Sequence, residues 1–241
     1  MSAPWAAHDL AVGQGGRWQF GALDLRVQRE AGAWILRWCC GAHGKEEVRH
    51  LALARTEGPL LLAPRLADQP VVVRPAEALS IAAEEEVLLF AATPLWVAVA
   101  ASAGRQPLAD LPTTRLPPTW FGPNTRSGEL CLAGTRPLEA TPLAGPCEVL
   151  TPILFQNGNE APLPVERLRL PLPRLALFRA ADGGFWTPAL TVRCKGEATE
   201  LTVGDLAPAQ ALRPRREAPA REAAQGGVLT ALGSVLRHPI F

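Results

Sequence analysis

Trp120-Phe121-Gly122-Pro123, Gly128-Glu129-Leu130-Cys131, Asn157-Gly158, Val165-Glu166-Arg167-Leu168-Arg169-Leu170-Pro171-Leu172-Pro173, Asp182-Gly183-Gly184 and Phe185-Trp186-Thr187 follow one another between residues 119 and 193. Asn-Gly and Asp-Gly-Gly are turn chemistry, and the pieces between them have strand length, so the stretch reads as short β-strands. The same rhythm continues outward. Arg17 to Arg29 alternates, with Trp18, Phe20, Leu23, Leu25 and Val27 set between polar residues. Trp34–Cys40, Leu60–Leu62, Val71–Val73, Val87–Ala91 and Leu95–Ala100 are further strand-length runs, as are Glu129–Leu132, Val149–Gln156, Val165–Leu172, Leu175–Arg179, Trp186–Cys194 and Ala198–Val203. The 24 prolines and 21 glycines interrupt the chain too often for long helices. The expected fold is all-β: two packed antiparallel β-sandwich-like halves, residues 1–110 and 111–212, joined at the Pro-rich run Leu111 to Pro118.

The end of the chain changes character. Residues 213–227 are polar and Pro-interrupted, which predicts a linker, and Gly226-Gly227 precede an apolar pattern at Val228, Leu229, Leu232, Val235 and Leu236. That spacing marks one face of a short terminal helix over 228–241, stopped by Pro239 and finishing on Phe241. Such a peptide can dock on a partner or fold back over a sheet of its own chain. Gly233 weakens the helix by about 1 kcal/mol, so it needs a surface to form on.

Composition narrows the function classes. A formal net charge of +1, from 24 basic and 23 acidic residues, argues against a broad nucleic-acid surface. Only Lys45 and Lys195 among the basic residues are lysines. Met1 to Asp9 contains no basic segment leading into an apolar one, and no run reaches the length a membrane helix needs. Five cysteines without a disulfide-type spacing then predict reduced thiols and a cytoplasmic protein that does not itself span the membrane.

Residues able to carry chemistry are few. Cys39, Cys40, His43, Glu46, Glu47 and His50 form the densest set of metal-ligand types, but adjacent thiols on a strand point to opposite faces. A hairpin around Gly41–Lys45 with packed thiols is the favoured reading, and no cofactor or metal is expected. The five serines include no nucleophile elbow, and the four histidines offer few general bases. Glu129, Glu166 and Arg167 are charges set within apolar strand sequence. Alternation from 165 to 172 puts Glu166 with Leu168, Leu170 and Leu172, where a carboxylate must be paired. A structural ion pair is favoured there over a ligand-site acid. Trp120, Phe121 and Trp186 can stack on a sugar or base if exposed, and pack a core if not.

The order Trp120-Phe121-Gly122, Gly128-Glu129-Leu130-Cys131, Asn157, Arg167-Leu168 with Leu170, Pro173 and Leu175, then Trp186-Thr187, resembles an uncharacterised prokaryotic family, one of the catalogued domains of unknown function. The resemblance covers residues 118–194, and departs at Leu132, where the family pattern carries an aromatic. It implies no known reaction. Relatives encoded near small-conductance mechanosensitive channel proteins would suit a soluble accessory subunit. The function expected is therefore a non-enzymatic binding protein that contacts a protein partner, with a membrane complex of the mechanosensitive-channel type in view. Its contact residues are Val228, Leu229, Leu232, Val235, Leu236 and Phe241, together with Trp120 and Trp186. A small-ligand or glycan-binding sandwich is the alternative, and an enzyme with an unfamiliar site the second. Open sheet edges would also allow a homodimer.

Overall fold

A computed structural model describes residues 5–52, 58–101, 107–124, 126–196, 198–204, 214–222 and 229–231. It is built of strands, with a single 3₁₀ turn at Leu172–Arg174 among the described residues. Contacts group the chain into two units, each discontinuous in sequence. The first takes Met1–Arg65 and Pro94–Arg115, the second Leu66–Thr93 and Leu116–Phe241.

The first unit has two sheets. Gly15–Phe20, Leu23–Glu30, Ala33–Cys40 and Glu47–Ala52 form an antiparallel meander in that order. Arg17 to Arg29, read from sequence as one alternating segment, is thus a tight hairpin. Gly21 makes its turn at φ 57°, a conformation that costs glycine nothing. The inward face of the meander is apolar: Phe20, Leu23, Leu25, Trp34 and Leu36 are fully buried. Each such side chain contributes about 1.5–3 kcal/mol of transfer free energy. The other sheet pairs Ala7–His8, Leu60–Arg65, Trp96–Ala100 and Ala109–Pro112. Thr113 ties the two sheets: its carbonyl accepts from Ala22 N–H at 2.9 Å and its hydroxyl donates to Leu95 O at 2.7 Å.

The second unit holds a sheet of Pro118–Asn124, Ser127–Ala133, Val71–Val73 and Leu168–Leu170, and a small pair of Leu79–Ile81 with Leu163–Val165. Its largest sheet is centred on Glu148–Asn157. Pairing is mostly antiparallel, yet Glu148–Asn157 runs parallel to both Phe185–Trp186 and Leu190–Lys195, and Ser127–Ala133 runs parallel to Val71–Val73. Val71–Val73 is buried throughout, which accounts for a run of three valines without alternation.

Three expectations need correction. The terminal helix is not formed at Leu229–Ala231, which instead pair antiparallel with Thr199–Leu201 at the edge of the large sheet. Gly233 discourages the helix, while an open sheet edge offers ladder bonds to an apolar strand. Val228, Leu232, Val235, Leu236 and Phe241 lie outside the described residues. Arg215–Ala218, expected as linker, is a strand paired with Leu177–Arg179. Beyond it the Arg221 and Glu222 amides donate to Pro173 O, and Arg221 Nε donates to Leu66 O at 2.8 Å. The run 165–172 is not one strand either. It breaks at Glu166-Arg167: Leu163 and Val165 are buried before the break, Leu168, Leu170, Pro171 and Leu172 after it, and Glu166 is exposed.

Candidate functional site

Pro118–Asn124 and Ser127–Ala133 form a hairpin at one edge of the four-stranded sheet of the second unit. Asn124 builds its turn, with Oδ1 accepting from the Arg126 and Ser127 amides at 2.9 Å each. Register slips between Phe121 and Asn124, a bulge. Gly122 and Gly128 meet there so closely that a Cβ on Gly128 would lie 2.6 Å from Phe121 O and 2.9 Å from the Trp120 ring. Both glycines are therefore required by close backbone approach.

Opposed residues in an antiparallel pair share a face, so the sheet sorts its side chains cleanly. One face carries Phe121, Glu129, Cys131, Val72 and Arg169. Phe121, Val72 and Cys131 pack together there. Glu129 is held by Arg169 through Nε and Nη2, the latter at 2.8 Å, and the Arg167 guanidinium sits 4.9 Å from the Phe121 ring centroid. The partner of Glu129 is thus Arg169, and Glu166 takes no part. Burial pushes the Cys131 thiol up to about 11, so this cysteine stays protonated near neutral pH and is not an activated nucleophile.

The opposite face runs from core to solvent. Val71, Val73, Leu168 and Leu170 are fully buried, while the register partners Trp120 and Leu130 at the sheet edge are 42% and 56% exposed. Trp120 is fixed in this position: its Nε1 donates to Asn124 O at 3.0 Å and its ring lies over Gly128. Nε1 is the only strong donor an indole has, so what Trp120 offers outward is apolar surface. Trp186 differs. At 8% exposure it packs with Leu150, Ala180 and, edge to face, with Phe90 at 6.4 Å between centroids. It is a core ring and is removed from the contact residues.

The metal-ligand types near residue 40 do not converge. Cys39 Sγ donates to Gly41 O and Gly44 O in the loop, whereas Cys40 Sγ turns towards Pro112 O. Among the described residues no three of His, Cys, Asp and Glu are grouped to hold a metal ion.

A family of proteins of unknown function, DUF432, matches residues 4–232. The chain belongs to the DUF432 family. No curated protein and no solved structure matches it. The resemblance read from residues 118–194 therefore extends over the first unit as well as the second.

This DUF432 chain also has a polar recess that sequence reading did not single out. Glu84, Glu85, Glu86, Gln156, Arg193 and Lys195 surround Asn157 in a volume of about 410 Å³. Asn157, 3% exposed, anchors it: Nδ2 donates to the carbonyls of Ile81, Ala82 and Ala161, and Oδ1 accepts from Asn159 N–H. Above it Gln156 bridges, donating to Glu86 Oε1 at 2.6 Å and accepting from Arg193 Nε at 3.0 Å. Gln156, Glu86 and Arg193 thus satisfy one another, and no nucleophile with an adjacent base stands among the lining residues. Asn157-Gly158 carried a turn signal, but the buried anchoring role depends on partners 75 residues away and has no local signature.

Proposed function

We propose that this DUF432 protein acts by protein–protein contact, as a non-enzymatic accessory chain, and that the Trp120–Leu130 face is its contact. The observation that carries the reading is that pair: two large apolar side chains in cross-strand register, exposed at a sheet edge, one of them locked by its own hydrogen bond. Rigid exposed Trp is the residue type that anchors interfaces, because it buries large area at little entropic cost. The backbone of the edge strand is guarded, since Pro118 and Pro123 lack N–H groups and the bulge disrupts the ladder. Contact is therefore through the side-chain face, and strand addition is disfavoured. The resemblance read in the sequence directs the choice of partner class to a membrane complex of the mechanosensitive-channel type. No helix among the described residues is long and apolar enough to cross a membrane.

The test is affinity purification from the native host with detergent-solubilised membranes, using wild type and Trp120→Ala/Leu130→Ala. A membrane protein retained by wild type and lost from the double variant, with far-UV circular dichroism and the urea unfolding midpoint unchanged, supports the reading. Retention of the same protein by both chains, or of none by wild type, overturns it.

A further inference from the structure

The outer face of the meander in the first unit carries a row of three arginines. Arg17 stands opposite Arg26, and Arg26 opposite Arg37, on three successive strands. Directly opposed side chains lie ~5 Å apart, and like charges in that position destabilise a sheet. One acid answers them. Asp24 takes both oxygens of its carboxylate to Arg17, at 2.6 and 2.9 Å, and reaches Arg26 only at 3.4 Å. The next register position beyond Arg37 is Val48, and no carboxylate among the described residues lies within ion-pair distance of Arg37. The row thus keeps +3 − 1 = +2, concentrated on its Arg26–Arg37 end.

This end is concave. Gly15, Gly16, Gln28, Ile35 and the arginines line a recess of about 320 Å³, with Ile35, 8% exposed, among the residues beneath the long side chains. Glycine at 15 leaves the rim low on this face, and Gln28, opposite Gly15 and next to Ile35 in register, adds a neutral amide. A guanidinium presents a planar fork that binds phosphate oxygens two at a time. Two adjacent forks with an uncompensated charge of +2 match a dianion, which a single carboxylate does not supply.

We propose that the Arg26–Arg37 end of this row is a binding site for a phosphate-bearing dianion, either free in solution or presented by a lipid headgroup. The site lies on the first unit and is independent of the Trp120–Leu130 contact on the second. Asp24 acts as an internal competitor, holding Arg17 and part of Arg26 away from the ligand.

Titration calorimetry of the full chain at neutral pH and constant ionic strength tests this, with inorganic pyrophosphate, then acetate. Cosedimentation with phosphatidylcholine vesicles, with and without phosphatidic acid, whose terminal phosphate monoester can carry two charges, tests the lipid source. Pyrophosphate binding weakened about tenfold by Arg37→Gln and by Arg26→Gln, about 1.4 kcal/mol each, and strengthened several-fold by Asp24→Asn, assigns a soluble ligand. The same ranking with vesicles alone assigns a headgroup. The gain from Asp24→Asn separates the site from a structural role: as a competitor Asp24 releases Arg17 and Arg26 to the ligand when neutralised, whereas a pair that only holds the sheet gives loss of binding together with loss of stability. Binding to neither probe, equal binding of acetate, or a ranking unmoved by Arg37→Gln and Asp24→Asn overturns the proposal. Arg126→Gln, in the turn of the second unit, serves as the charge-matched control.

Discussion

Replacing Asn157 by alanine should cost the second unit about 3 kcal/mol. Four hydrogen bonds end on this side chain, three donated by Nδ2 and one accepted by Oδ1. The amide has only two protons, so two donated bonds and one accepted bond are the most it makes at full strength at once. At about 1 kcal/mol for each net bond, that gives roughly 3 kcal/mol. Two of the carbonyls belong to Ala82 and Ala161, which are exposed and can take water instead, whereas the bond to Ile81 O is buried. Asn157→Asp sharpens the argument. An aspartate there faces three carbonyls, so its folded-state pKa must rise above the unfolded value of about 3.9. A raised folded pKa gives stability that is fully present below the unfolded pKa and is lost as pH rises through the folded one. Its deficit relative to wild type should therefore grow from mild acid to neutral pH, while that of Asn157→Ala stays flat. Urea unfolding followed by tryptophan fluorescence, with free energies extrapolated to water at several pH values, measures both. An alanine variant within about 0.5 kcal/mol of wild type would refute the anchoring role, as would an aspartate variant with no pH dependence.

Gly128→Ala should destabilise the hairpin by about 1–3 kcal/mol, because the new methyl meets backbone at Phe121 O; hydrogen exchange of the 118–133 amides would show the loss. Glu129→Gln should cost under about 1 kcal/mol, and less in high salt, since the Glu129 side chain is 43% exposed; equal cost at low and high salt in urea melts would contradict this. Cys131, with its thiol pushed to about 11 by burial, should resist alkylation in the folded protein at neutral pH and react once unfolded. Peptide mass spectrometry after iodoacetamide treatment decides that, and rapid native labelling of Cys131 would count against the buried assignment.

What the sequence revealed depended on whether a strand has one wet face, two dry ones, or none. Val71–Val73 and Ala198–Val203 agree in their bounds with the structure, the first as a buried valine run, the second between turn signals. Glu47–Ala52 and Arg215–Ala218 escaped detection because both are edge strands with no fully buried side chain, so no apolar period marks them. The break at Glu166-Arg167 was hidden by continuity of composition: leucine follows on both sides, and a two-residue interruption restores the same alternation one step out of phase. At the candidate site, Trp120 and Trp186 look alike in sequence and differ in fate. Trp186 packs with Phe90, Leu150 and Ala180, while Trp120 is held at a sheet edge by a carbonyl four residues on. Exposure of that kind is set by sheet order, which local sequence does not encode.

The discontinuous units have a consequence for synthesis. Val71–Val73 finds its ladder partners in Ser127–Ala133 and Leu168–Leu170. From Val73 to Leu168 is 95 residues of chain. A ribosome adding ~5–20 residues per second needs roughly 5–20 s to deliver them. The valine triplet, flanked by Pro70 and Arg74, has both edges unpaired until Ser127–Ala133 follows, 132 − 71 = 61 residues on, and one edge unpaired until Leu168–Leu170 is made. The proline before it and the arginine after it are the kind of flanks that keep such a segment from joining its neighbours on a crowded polysome. The nascent chain is thus most exposed to misassociation in the middle of translation, well before its last strand is made.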